Sequence, residues 1–493
     1  MIDLTEKLEL IGMSFSFFIP ELILTAGILL SLTIGLIKKE NVSLLTFVGF
    51  LLFGMSFSYF VFNWTLYHIP TKIFNGMLRS DDFSAYLRML FDVAGLFTVV
   101  MSWRKQKEQE HLSEYYALLL AIVLGAHLLV MSMNLIMVFI SLELISISSY
   151  VLAGFSFSKK GAEGSLKYFL FGSVASAVML YGFSLLYGLT GTLDFSSPEF
   201  VNHLLGSESS LFFIAALMAM AGFFYKIAAV PLHPWAPDVY EAAPMPVIAF
   251  FSVVPKLAGV GILTKFTLAL NVFGQSTIDW QFILCLVSIL SLTVGNFSAL
   301  WQKNPKRLMA YSSIAQSGFL LVGVAALLPQ GVHFMLFYAS VYLLMNFLVF
   351  NYLLYFESLG LATISSFSGV GRQLAVPCIL VLVGFIALTG LPPTAGFTAK
   401  LFIFTSLWES YAISDKTILL WLLIFGLLNT VVSLFYYLRI PYYAFIKNGE
   451  STIKTNILTF ENFFGLVLVL MILLLFFNPG LLMGWINKIN FVL

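Results

Sequence analysis

Charge is what this sequence has least of: Asp, Glu, Lys and Arg make up 10% of its 493 residues, against 60% hydrophobic residues. A soluble domain of that length needs far more polar surface, so the composition implies a polytopic membrane protein, with a mean hydropathy of +0.96. The net charge of +1 excludes a strong electrostatic attraction for nucleic acid. There are two cysteines, Cys285 and Cys378, both in apolar runs with no CxxC or Cys/His cluster near them. They are expected to be packing residues, and no metal or iron–sulfur site is expected in this chain. GxGxxG, GxxxxGK[ST], HExxH and a plausibly placed GxSxG are also missing, which removes nucleotide, flavin and hydrolytic chemistry from it.

Long apolar runs are what the chain does have. A span needs roughly 20 apolar residues, and such runs fall near 14–37, 42–63, 83–103, 114–132, 134–154, 165–190, 209–231 and 243–271. Others fall near 280–302, 306–328, 331–356, 373–408, 416–446 and 460–480, for about fourteen transmembrane helices and an all-α fold. The first run is too long and too poorly prefaced by basic residues for a cleaved signal peptide. Proline interrupts the seventh and twelfth runs, five spans apart. An odd number of helices per copy inverts the second copy, so two inverted five-helix repeats are expected. The divisions are 1–113 (three N-terminal helices), 114–271 (spans four to eight), 280–447 (spans nine to thirteen) and 448–493 (the last span).

Basic residues cluster after odd-numbered spans: Lys38 and Lys39; Arg104, Lys105 and Lys107; Lys159 and Lys160; Lys303, Lys306 and Arg307; Arg372; Lys447 and Lys454. The loops after even-numbered spans and the chain ends keep only scattered Lys7, Lys72, Arg79, Lys416 and Lys488, and the loop after span six is acidic, with Asp194, Glu199 and Glu208. The positive-inside rule then places both termini outside.

An ionisable side chain at mid-span costs at least roughly 2.5–3.5 kcal/mol, so such residues mark function by default. Glu143 lies mid-way along the fifth span and shares a helical face with Ser146 and Tyr150. Lys226 precedes Pro231 by five residues; the proline should break the helix there and free a backbone carbonyl. Burial disfavours a charged lysine and a nearby carboxylate restores it, so Lys226 with Glu143 could load and release a proton. Lys256 follows Pro255, with Ser252 and Gly259 on its face; Lys400 follows Pro392 and Pro393, with Gly396 one turn before it. Each could instead be a structural ion pair, but a series of three is not required by packing. Lys265 is near enough to a span end to snorkel. His127 could reach the polar seam or be a packing histidine, His233 and Trp235 shape the break, and Arg439 and Asp92 suit helix-end or partner contacts; His127, His233 and Gln316 are the further relay candidates. Asp238 with Glu241 reads as a capping-box-like helix start.

These stretches resemble a known family. Lys226-x4-Pro-Leu-His-Pro-Trp-Ala-Pro-Asp-Val-Tyr-Glu-Ala-Ala-Pro244, Val254-Pro-Lys256, Lys306-Arg-Leu-Met-Ala-Tyr-Ser-Ser-Ile-Ala-Gln-Ser-Gly318 and Gly390-Leu-Pro-Pro-Thr-Ala-Gly-Phe-Thr-Ala-Lys400 are similar to the antiporter-like membrane subunits of respiratory complex I, the proton-pumping NADH–quinone oxidoreductase. The N type is favoured: the M type looks to carry Glu where Lys400 stands, and the L type has a long lateral helix for which this chain has no room. The resemblance implies a Glu143–Lys226 couple, Lys256 as central relay and Lys400 as relay towards the outer exit. It implies no cofactor in this chain, with FMN, iron–sulfur clusters and quinone in partner subunits, neighbouring membrane-arm subunits as partners, and a bacterial inner membrane. Mrp-type Na⁺/H⁺ antiporter and membrane-hydrogenase subunits are the alternative. Many family members look to have His at the position of Gln316, a residue that can order water but does not titrate near neutral pH.

Overall fold

In the computed structural model, residues 12, 14–37, 42–105, 111–205, 209–271, 278–449 and 459–490 are described. The loop charges at Lys7, Lys38, Lys39, Lys107, Glu208 and Lys454 lie outside them, as do the side chains of Arg104 and Lys105.

The fold is all-α. In chain order the helices are α1 (Ile19–Ile37), α2 (Val42–Phe62), α3 (Asp82–Lys105), α4 (Leu112–Met131), α5 (Leu135–Ala153), α6 (Lys159–Thr190), α7 (Pro198–Leu205), α8 (Ser209–Lys226), α9 (Trp235–Ala242) and α10 (Met245–Leu270). They continue as α11 (Trp280–Leu300), α12 (Pro305–Ala325), α13 (Pro329–Ser358), α14 (Ala375–Thr389), α15 (Ala395–Ser414), α16 (Thr417–Tyr437), α17 (Arg439–Phe445), α18 (Phe460–Phe477) and α19 (Gly480–Ile486). Among the described residues, twelve helices are long and apolar enough to cross a membrane. The stretches Ser210–Lys226 and Ala375–Thr389 are apolar but shorter, and these are the two runs that proline interrupts. A short hairpin, β1 (Thr71–Ile73) with β2 (Leu78–Ser80), was not anticipated; it turns through Phe74, Asn75 and Gly76, all at positive φ.

Local chemistry sets the helix starts. Asn134 accepts from the Ile136 amide at 3.0 Å, and Asn304 accepts from the Lys306 amide at 2.8 Å with Pro305 at the first helical position. Large apolar side chains on the outer faces, such as Leu29 of α1, Phe47 of α2 and Val431 of α16, are exposed, as a lipid-facing surface requires. By contrast the apolar stretch of α10 is 100% buried and those of α12 and α13 are 94% buried.

The chain divides into two units, one of residues 1–227, 254–280 and 489–493, the other of residues 228–253 and 281–488. In the first, α1 packs on α4 and α2, α4 on α5, and α6 on α8; in the second, α13 packs on α14, α15 and α18, and α9 on α12.

Three local expectations are corrected. Helix α8 stops at Lys226, not at Pro231. The Pro231 ring excludes a helical carbonyl at Ile227, four residues earlier, and Ala228 follows at φ +56°. Lys265 does not snorkel: it is 1% exposed and donates to Asp81 Oδ2 at 3.0 Å. Asp238 and Glu241 do not mark a helix start, because α9 begins at Trp235 and both lie inside it. They hold Arg307 Nη1 at 2.8 and 3.1 Å. Arg439 does make a helix-end contact, donating to the Leu300 and Gln302 carbonyls at 2.7 and 2.9 Å.

Candidate functional site

In the first unit, Lys226 is the last residue of α8 and is 1% exposed. Its Nζ donates to Ser146 Oγ of α5 at 3.1 Å and lies 5.9 Å from the centre of the Tyr168 ring. Glu143, three residues before Ser146 on the same helix, accepts from Ser176 Oγ of α6 at 2.5 Å. Among the described residues no ion pair joins Glu143 to Lys226; the carboxylate acts on the ammonium only through space. Tyr150, a turn beyond Ser146, packs edge-on against Tyr168 with ring centres 4.7 Å apart.

Lys256 is fully buried on α10, whose wholly buried apolar stretch leaves its ammonium no path to an interface. Three residues on, Gly259 presses against the end of α8. A Cβ there would stand 2.7 Å from Ile227 Cγ2 and 3.6 Å from Lys226 Cβ, so only glycine admits this approach. The face carrying Lys256 thus abuts the residues that end at Lys226.

In the second unit, α14 ends at Thr389 and Gly390 turns the chain at φ +84°. A helix end leaves its last four carbonyls without intrahelical partners, and here each has a donor. The Gly390 amide bonds the Ile386 and Ala387 carbonyls, both at 3.0 Å. Gln316 Nε2 of α12 bonds the Leu388 carbonyl at 3.3 Å, and Lys400 Nζ of α15 bonds the Thr389 carbonyl at 2.8 Å. The last is the carbonyl that Pro393, lacking an N–H, could not have bonded. Lys400 Nζ also sits 4.0 Å from the centre of the Phe319 ring, three residues beyond Gln316. Gln316 and Lys400 are therefore brought together.

Pro231, Pro392 and Pro393 are themselves exposed, at the outside of the two breaks. His233 is half-buried in the first break, its Nδ1 enclosed without a hydrogen-bond partner. Burial lowers its proton affinity, and the Pro231 carbonyl opposes this in part. His127 stands apart from the lysine series, bonded through Nδ1 to Glu21 Oε1 at 2.9 Å.

Sequence reasoning missed the hydroxyl and amide groups that complete these centres. Ser176 holds Glu143, while Tyr338 Oη donates to Gln316 Oε1 and Gln316 Nε2 reaches Tyr437 Oη at 3.2 Å. Tyr437 pairs with Ser312 at 2.5 Å, and Tyr436 donates to Asn296 at 2.9 Å. Their signal was polar side chains inside apolar runs, which carry less weight than charges. Glu21, inside the first run, carried the stronger signal and was overlooked.

Residues 132–433 match the family described as NADH:quinone oxidoreductase/Mrp antiporter, TM. The chain is 37% identical over 483 residues to the NADH-quinone oxidoreductase subunit N 2 of Chloroherpeton thalassium, covering 94% of this chain and 91% of that one. Among solved structures, a chain of respiratory complex I from Thermus thermophilus with bound aureothin is similar, with a TM-score of 0.78 and 26% identity. That match covers 96% of this chain and 100% of the other. A chain of the membrane-bound sulfane sulfur reductase, an archaeal respiratory membrane complex, shares the fold at a TM-score of 0.86 and 23% identity, covering 96% of both.

Proposed function

The chain belongs to the NADH:quinone oxidoreductase/Mrp antiporter transmembrane family, and we propose that it is the proton-translocating N-type membrane-arm subunit of an NADH–quinone oxidoreductase. It spans the membrane many times among other membrane-arm subunits and works as part of a translocase. Electron transfer from NADH to quinone takes place in partner subunits, which hold the FMN and iron–sulfur centres. Release of that energy shifts charge along the membrane arm and changes the protonation of Glu143, Lys226, Lys256 and Lys400.

One observation carries the reading. Lys226 and Glu143 are not locked in an ion pair; each rests on a serine hydroxyl, Ser146 and Ser176 respectively. A neutral hydroxyl does not fix the charge of an amine. When the carboxylate approaches, the ammonium form of a buried lysine is favoured, and when it withdraws the proton is released. A structural pair would sit in direct contact. His233 and Gln316 serve as ordering groups beside the route. The two broken spans mark corresponding places in inverted repeats at 114–271 and 280–447, flanked by 1–113 and 448–493. The loop lysines and arginines favour both termini outside a bacterial inner membrane.

The test is Lys226→Ala and Glu143→Ala in the assembled enzyme. Assembly should survive while proton pumping is lost and NADH–quinone turnover falls. Retention of assembly, turnover and pumping in both variants would overturn the relay.

A further inference from the structure

A second buried ionisable cluster lies in the N-terminal part of the first unit. Glu21 of α1, Arg88 and Asp92 of α3 and His127 of α4 are each 0% exposed. Arg88 Nη1 donates to Glu21 Oε1 at 3.1 Å, and His127 Nδ1 meets the same oxygen at 2.9 Å. On the other side of the ring, His127 Nε2 faces Asp92 Oδ1 at 3.5 Å, while Asp92 Oδ2 accepts from Ser56 Oγ at 2.7 Å. Arg88 is held in place by the Phe60 and Tyr67 rings, 4.7 and 5.1 Å from its guanidinium carbon.

Donor counting constrains this arrangement. An ionised carboxylate only accepts, and a neutral imidazole offers one N–H and one bare nitrogen. An imidazole with a carboxylate on each nitrogen therefore needs one proton more than its neutral form carries, either on the ring or on an oxygen. Charge counting agrees. With neutral His127 the cluster sums to one negative charge in a site closed to water, and one further proton brings it to zero, which low-dielectric burial strongly favours. Buried atoms with no hydrogen-bond partner include Glu21 Oε2, Asp92 Oδ1 and His127 Nε2.

Among the described residues, the neighbouring charges are held elsewhere: on α10, Lys265, which acts on Arg88 through space, bonds Asp81 at 3.0 Å. On α5, Glu143 is turned to Ser176; on β2, Arg79 lies 3.7 Å from Asp81; on α2, Tyr59 donates to the Ser16 carbonyl. On α4 itself Glu114 is thirteen residues away, about 20 Å along the helix.

We propose that Glu21, His127 and Asp92 bind one proton between them, a proton site separate from Glu143 and Lys226. The full chain, purified in its assembly and labelled with ¹⁵N-histidine, is examined in lipid bilayers by solid-state NMR. At a pH about two units above the ordinary histidine value of about 6.5, His127 should keep both ring nitrogens protonated. Its signal is assigned by its loss in His127→Gln. If that variant fails to assemble, the signal is assigned instead by its shift in Asp92→Asn, which removes the charge of the carboxylate facing Nε2. A neutral His127 accompanied by a protonated-carboxyl infrared band that disappears in Asp92→Asn or Glu21→Gln puts the same proton on an oxygen and also supports the site. A neutral His127 with no such band overturns it. Neither measurement depends on NADH–quinone turnover, so failure here leaves the proposed function standing.

Discussion

Lys400 Nζ bonds the Thr389 carbonyl at 2.8 Å, across the break that Pro392 and Pro393 make between α14 and α15. The ammonium replaces the amide that a continuous helix would have supplied, so the side chain that closes this helix end is also the one to which the proposed relay assigns a mobile charge. The two roles separate on substitution. Lys400→Met should leave the buried Thr389 carbonyl unbonded, at about 1–3 kcal/mol, seen as a lower melting midpoint of the assembled complex. It should also abolish proton pumping. Full pumping with an unchanged midpoint would show that Lys400 does neither.

Gly390 permits the Lys400 contact. A Cβ there would stand 2.7 Å from Lys400 Cδ, and the residue sits at φ +84°. Gly390→Ala should cost about 1–2 kcal/mol in backbone strain and push Lys400 off its carbonyl. Proton pumping should fall although no titratable group has changed. A variant with wild-type melting and pumping would exclude the geometry.

Lys265 and Asp81 form a buried pair at 3.0 Å, where exposure to solvent cannot soften the loss of a partner. Burial alone would raise the Asp81 proton affinity, but the Lys265 ammonium, the Ser84 amide and Arg79 outweigh it, so its carboxyl titrates below the ordinary aspartate range. A carboxyl lowered in this way adds stability above its ordinary value, and that stability is lost as pH falls through the lowered one. Lys265→Met should destabilise by about 3–5 kcal/mol, and Lys265→Met with Asp81→Leu should recover most of it. Equal losses in the single and double variants, measured by thermal melting, would deny the pairing.

The broad fold was legible because membrane spans announce themselves as long apolar runs, and the candidate lysines because charge is rare inside them. Pro231 and Pro392–Pro393 marked the breaks for the same reason. The environments of those lysines were not legible. Ser146 and Ser176, one under Lys226 and one under Glu143, come from two different helices, and nothing in local spacing says which serine faces which charge. Lys265 was misjudged because its distance from the span end suggested a path to water, whereas its partner, Asp81, is 184 residues away in sequence. Gln316 looked like a gap in a titratable route; its role as a donor to the Leu388 carbonyl appears only once α12 and α14 are packed together.

His233 gives a pH prediction of the same sign as that of Asp81, but in a higher pH range. Burial of the ring in the break between α8 and α9 lowers its proton affinity, and the Pro231 carbonyl recovers only part. A histidine lowered in the folded state is more readily protonated when unfolded, so the unfolded chain takes up protons first as pH falls. The stability that neutral His233 contributes is complete above the ordinary value of about 6.5, and is lost between that value and the lowered one. His233→Gln keeps a polar side chain of similar reach and removes the titration. The wild-type melting midpoint should therefore fall relative to the variant as pH drops below about 6.5, and the difference between them should be constant above it. A constant difference throughout the acidic range would mean that the ring is as accessible to protons when folded as when unfolded, and would place His233 in open contact with water rather than enclosed in the break.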